Sequence, residues 1–165
     1  MMKQIDSQRW TEQIRELKAR YFRLMDTKRW EEYATLFLDD SVFDVTEAFK
    51  DPDGSDGTGL EASVREPIIG RDAIVAYVSR GLDTRVRSFH AGFMPEIEVL
   101  SENRARAVWA MEDRVWLPDG PVAMMHGWGH YHETYTRKDG RWYIQTLKIT
   151  RLRLELVPRQ AAARL

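Results

Sequence analysis

Two charged residues occur in runs of alternating apolar residues, at positions where an extended chain would turn them onto the apolar face. Between Arg104 and Leu117, the residues Ala105, Ala107, Trp109, Met111, Asp113, Val115 and Leu117 share one parity, so Asp113 falls on the inward side of a strand. A carboxylate there needs a partner, and one so placed is a candidate for acid–base chemistry. The alternative is a strand-end Asp that reaches water. Leu147, Ile149 and Arg151 alternate in the same way. The Arg151 guanidinium suits a carboxylate such as Asp113 or an oxygen atom of a ligand. With Arg153 in the same register, an exposed rim charge fits the spacing as well.

His90 lies between Ser88 and Gly92 on one strand face, amid Val86, Phe89, Ala91 and Phe93. Its imidazole can take up and return a proton near neutral pH, which makes it the best single candidate for a general base; a core histidine with satisfied hydrogen bonds would look the same. Tyr21 belongs to a helical apolar stripe that turns its hydroxyl toward the core. Asp26, five residues on, lies about 140° around the helix, so the two need not touch. His126, Trp128, His130 and His132 share one strand face. A His-x-His pair can chelate zinc or iron, but a solvated histidine ladder gives the same pattern, and no metal site is assigned. The chain has no Gly-rich phosphate loop, no Gly-x-Ser-x-Gly elbow and no dinucleotide fingerprint.

These residues need a scaffold, and the periodicity supplies one. Trp10, Ile14, Leu17, Tyr21 and Leu24 recur at helical spacing, predicting a long first helix capped by Ser7 and broken near Asp26-Thr27. A shorter helix follows with Trp30, Tyr33, Ala34 and Phe37, then a short strand at Val42, Phe43 and Val45. Asp51 to Ser63 is glycine-rich and polar, a surface loop or flap. Gly70-Arg71-Asp72 opens a third helix that ends near Gly81. After Thr84 the period falls to two. Strands are expected at Val86 to Phe93, Glu96 to Ser101, Arg104 to Leu117, Ala123 to Arg137 and Arg141 to Leu156, with turns at Asn103, Pro118-Asp119-Gly120 and Lys138-Asp139-Gly140. Three helices followed by a curved antiparallel sheet give an α+β layout with a pocket between the layers.

The 165 residues suit a single domain. Lys and Arg total 25 against 26 Asp and Glu, which lacks the basic excess expected of a nucleic-acid binder. With no cysteine, thiolate metal sites and cysteine nucleophiles are excluded. The polar start and the lack of a long apolar run predict a protein with no membrane partner, located in the cytoplasm.

Particular strings are similar to a known family. Residues Ile14 to Asp26, His90-Ala91-Gly92-Phe93-Met94-Pro95-Glu96-Ile97, Met111-Glu112-Asp113-Arg114 and Asp139-Gly140-Arg141-Trp142-Tyr143-Ile144 resemble the SnoaL-like branch of the nuclear transport factor 2-like superfamily. Within it they most resemble the bile-acid 7α-dehydratase group, and more distantly scytalone dehydratase. The resemblance spans nearly the whole chain. It implies a single SnoaL-like domain over residues 1–165: an α+β cone in which three N-terminal helices pack on a strongly curved antiparallel or mixed sheet around a pocket.

The resemblance implies a catalytic set of Tyr21, Asp26, His90, Asp113 and Arg151, which includes both of the wrong-face residues; Phe93 stands where that group has a second histidine. Trp109, Met111, Phe93, Trp128, Tyr131 and Leu147 are the expected substrate contacts. The implied activity is cofactor-independent dehydration of a small hydrophobic molecule by a homodimer or larger homo-oligomer. Isomerisation or polyketide-type cyclisation in the same pocket is one alternative. A non-catalytic binder or dioxygenase-type small subunit is another.

Overall fold

The computed structural model describes residues 4–50 and 65–159. The loop expected at Asp51 to Ser63 lies outside the described residues. Helix α1 spans Gln4–Asp26 and buries Trp10, Ile14, Leu17, Tyr21 and Leu24, the stripe read from the sequence. Each such side chain contributes roughly 1.5–3 kcal/mol when fully buried. Ser7 lies inside the helix rather than at its cap.

At its other end α1 closes in a Schellman arrangement. The Arg29 N–H donates to the Leu24 carbonyl at 2.9 Å and the Lys28 N–H to that of Met25 at 3.1 Å, with Lys28 left-handed at φ 60°. This sharp stop fixes where Asp26 points. Helix α2, Trp30–Ala34, is shorter than predicted, because Phe37 already begins strand β1, Phe37–Asp44. A two-residue strand β2, Ile68–Ile69, precedes helix α3, Arg71–Gly81.

Four long strands complete the fold: β3 Arg87–Ser101, β4 Arg104–Trp116, β5 Val122–Lys138 and β6 Arg141–Pro158. The two strands expected on either side of Met94-Pro95 are one. Their register shifts between Phe93 and Glu96, where Met94 takes φ 49° and Pro95 has no N–H to give. This bulge is tolerated because β3 is an edge strand. The sheet has the order β2-β1-β6-β5-β4-β3, with β1 parallel to β6 and every other pairing antiparallel. The fold is thus a mixed six-stranded sheet with helices packed on it, and β1 and β2 stand between the second and third helices instead of following all three. Asp139 and Gly140, both at positive φ, make the β5–β6 hairpin. No helix among the described residues is long and apolar enough to cross a membrane.

Candidate active site

Asp26, the last residue of α1, is the hub of the first cluster. Its Oδ1 accepts from Ser88 Oγ at 2.8 Å and lies 2.7 Å from His90 Nδ1, and its Oδ2 accepts from the His90 backbone N–H at 2.9 Å. Lys28 donates to Ser88 Oγ at 3.0 Å, tying the turn after α1 to β3. A carboxylate only accepts, so Nδ1 carries the ring proton and Nε2 keeps its lone pair. Of the two carboxylates in the expected catalytic set, Asp26 is the one that meets the imidazole.

Asp113 is opposite His90 in the β3–β4 register and faces inward, as its parity predicted. Its Oδ2 accepts from Arg151 Nη1 at 2.7 Å, and both side chains are buried. Arg151 also donates through Nε to the Ala48 carbonyl at 2.7 Å. The pair needs a neighbour without a side chain: a Cβ at Gly127 would stand 2.6 Å from Asp113 Oδ1 and closer still to Arg151 Nη1. Gly127 therefore admits a guanidinium and a carboxylate that any larger residue would force apart.

A cleft of about 400 Å³ joins these groups. Tyr21, His90, Asp113, Tyr131 and Arg151 line it together with apolar side chains from β1, α3 and β6. Tyr21 is buried in the wall of the cleft. Burial pushes its phenol well above the ordinary range, helped by the neighbouring Tyr33 and Tyr131, so Tyr21 stays a proton donor through neutral pH. Burial raises Tyr131 as well, with Asp113 adding to the effect.

The substrate contacts expected from sequence divide. Tyr131 lines the cleft, but the other five lie elsewhere. Trp109, Met111 and Leu147 point inward and are consumed by the core; the Trp109 indole N–H donates to Tyr135 Oη at 2.9 Å, and Met111 Sδ meets Arg151 Nη1 at 3.5 Å. Phe93 has the parity opposite to His90 and is exposed, and Trp128 has the parity opposite to Tyr131. Strand alternation turns both to the other side of the sheet. There Trp128 packs on His126 with ring centroids 3.8 Å apart, while His126 Nε2 lies 2.7 Å from Glu112 Oε1. His132 Nε2 lies 2.9 Å from Thr150 Oγ1. Among the described residues, no three His, Asp or Glu side chains converge as metal ligands.

One buried network was missed. Lys18 and Glu133 form a buried ion pair, and the free Glu133 oxygen accepts from Tyr135. Burial lowers Lys18 to about 8 against the opposing pull of Glu133. The signal was present: Lys18 stands four after Ile14 and three before Tyr21, and Glu133 shares parity with Tyr131 and Tyr135.

Comparison with known proteins agrees with this architecture. The family described as SnoaL-like domain matches residues 9–148. Probable cyclase FGR4 of Gibberella zeae is 24% identical over 145 residues, covering 87% of this chain and 92% of that protein. A scytalone dehydratase-like protein of Novosphingobium aromaticivorans superposes with a TM-score of 0.72 at 19% identity, covering 92% of this chain and 90% of that one. The hexachlorocyclohexane dehydrochlorinase LinA-type3 of Novosphingobium barchaimii gives a TM-score of 0.72 at 16% identity, with 94% of each chain covered.

Proposed function

The chain belongs to the SnoaL-like domain family, and on that premise we propose that it is a cofactor-independent dehydratase acting on a hydrophobic, polycyclic hydroxy-carbonyl compound. The observation that carries this reading is the Asp26-oriented His90, which lines one cleft with Tyr21. Eliminating water next to a carbonyl needs a base for the carbon-bound proton, a donor for the oxyanion that develops, and a proton for the departing hydroxyl. His90 Nε2 takes the proton and Asp26 stabilises the imidazolium through Nδ1. Tyr21, protonated throughout, donates to the carbonyl oxygen as enolate charge grows. The imidazolium then returns the proton to the hydroxyl, which leaves as water. Arg151, neutralised by Asp113, orients the polar end of the substrate.

The cleft volume falls within the range of roughly 300–1,000 Å³ that small-molecule sites occupy, and its walls are mostly apolar. Relatives named a dehydratase and a dehydrochlorinase support an elimination. The relative named a cyclase favours a second reading, an aldol-type ring closure by the same base and donor.

The test is a mass-resolved turnover screen against hydroxylated steroid, polyketide and terpenoid carbonyl compounds, with His90→Ala in parallel. A product lighter by one water, absent with the variant, is the expected result. A product of unchanged mass would replace dehydration with isomerisation or ring closure, and binding without conversion would make the protein a carrier.

A further inference from the structure

The Tyr21 and Tyr131 wall of the cleft is backed by a cation that the proposed mechanism does not use. Lys18 Nζ lies 3.6 Å from the ring centroid of Tyr131 and 4.0 Å from that of Tyr21, and these two rings meet edge-on with centroids 6.0 Å apart. Phe22 completes the box at 4.6 Å. The ammonium is held there by Glu133, itself fixed by Tyr135, whose hydroxyl accepts from Trp109 at 2.9 Å. Lys18, Glu133, Tyr135 and Trp109 are thus linked by hydrogen bonds, and all four are buried. Two apolar residues of similar volume would fill the same space without desolvating charge.

We propose that Lys18 is a positioning residue of the site: its ammonium lies against the faces of Tyr21 and Tyr131 and draws electron density from both rings, so that their hydroxyls donate more strongly to an oxyanion in the cleft. The inference rests on Tyr21 as oxyanion donor and adds Tyr131 as a second. A cation on a desolvated aromatic face is attracted to the ring quadrupole, and the polarisation is felt at the ring substituent. In a site shielded from water the effect is much larger than at a surface.

The probe is p-nitrophenol, whose phenolate mimics an enolate oxygen and absorbs differently from the neutral phenol. The double variant K18M/E133Q removes both buried charges and nearly preserves volume, and its thermal melt checks that it folds. Wild type is expected to bind the phenolate in preference to the phenol. Y21F and K18M/E133Q should each weaken phenolate binding by roughly tenfold, the scale of a desolvated cation–ring interaction, while binding of the neutral phenol changes little. Tyr131→Phe, which leaves the ion pair intact, should weaken the phenolate similarly.

If K18M/E133Q binds phenolate as wild type does while Y21F is weakened, the role of Lys18 is overturned and Tyr21 stands; if Y131F alone binds as wild type does, Tyr131 is overturned as the second donor. If wild type shows no preference for phenolate, or Y21F has no effect, the donor reading falls and this inference falls with it.

Discussion

Two histidine–carboxylate pairs lie on opposite faces of the same sheet with the same 2.7 Å separation, and only one is built as a base. Asp26 accepts from Ser88 Oγ and from the His90 backbone as well as from the ring, so its carboxylate is locked before the imidazole takes up a proton. Glu112 shares its oxygen between His126 and Arg114, at 2.7 and 2.8 Å, and its carboxyl is held below the usual range first by His126. There the histidine is a rim partner of an ion pair. His90 uses Nδ1, and its Nε2 has no partner among the described residues while the residue lines the cleft; His126 uses Nε2 and stacks on Trp128. A short distance does not make a dyad. What matters is how the carboxylate is fixed and which ring nitrogen remains.

The largest expected effect tests that contrast directly. On whichever hydroxy-carbonyl compound the protein dehydrates, His90→Ala and Asp26→Asn should each lower kcat by about 10² or more, the range for acid–base groups. His126→Ala and Glu112→Gln should leave kcat within a few-fold of wild type. Steady-state kinetics of the four variants decide it, and equal losses on both faces would remove the distinction.

The second contrast is between charges that share solvent and charges that cannot. Removing one member of the Lys18–Glu133 pair strands the other in the core, which typically costs 3–5 kcal/mol. Lys18→Met or Glu133→Gln alone should therefore lower stability by about that amount in urea denaturation, and the double variant should recover most of it. Glu112→Gln on the outer face should barely move the melting temperature.

Much of the inner face was legible because strand parity and helical spacing are local. Asp113 between Met111 and Val115, and Arg151 after Ile149, stood out against apolar neighbours. The same rule reaches Glu133 and Lys18, but their aromatic neighbours disguised them as an ordinary core. What the spacing left open was which groups pair across the sheet, Asp113 being one of the two partners it offered Arg151. That Asp113 meets Arg151 and His90 meets Asp26 depends on β4, β5 and β6 lying side by side and on where α1 stops, which is tertiary information. Phe37 was misplaced because a two-turn apolar pattern cannot separate a helix end from a strand start. Trp109, Met111 and Leu147 were expected in the cleft because parity gives the inward face and not the depth along it. The edge-strand bulge at Met94-Pro95 likewise has a plain sequence signal, a proline, but the signal fits a strand break equally well.

A smaller effect follows from protonation. Burial lowers Lys18 in the folded protein to about 8, below its ordinary 10.5. Between those values the native state has released the proton that the unfolded chain still holds, so unfolding takes up a proton and this group makes stability rise with pH, by about 1 kcal/mol per pH unit. Below pH 8 both states are protonated and the contribution is flat. Lys18 is faced by Tyr21 from its own helix and by Tyr131 and Glu133 from β5, with Tyr135 bonded to Glu133. The raised tyrosines act in the opposite direction only above pH 10, where the unfolded phenols begin to ionise. Urea titrations of wild type and K18M/E133Q at pH 8 and pH 9.5 isolate the slope, which the double variant should lack.

The smallest expected change concerns a deeply buried hydroxyl of the tyrosine cluster, that of Tyr33. Tyr33 is buried with its ring 5.3 Å from that of Tyr21 and 5.2 Å from that of Phe37, and its Oη lacks a hydrogen-bond partner among the described residues. An unsatisfied buried hydroxyl gives up its hydration without compensation, so deleting the oxygen is nearly neutral or stabilising, by up to about 1 kcal/mol. Tyr33→Phe should hold or raise the melting temperature and leave kcat close to wild type, because Tyr33 lies behind Tyr21 and does not line the cleft. A large loss of activity in that variant would mean that the Tyr33 hydroxyl positions the Tyr21 proton, and the inner face would then act through three phenols instead of two.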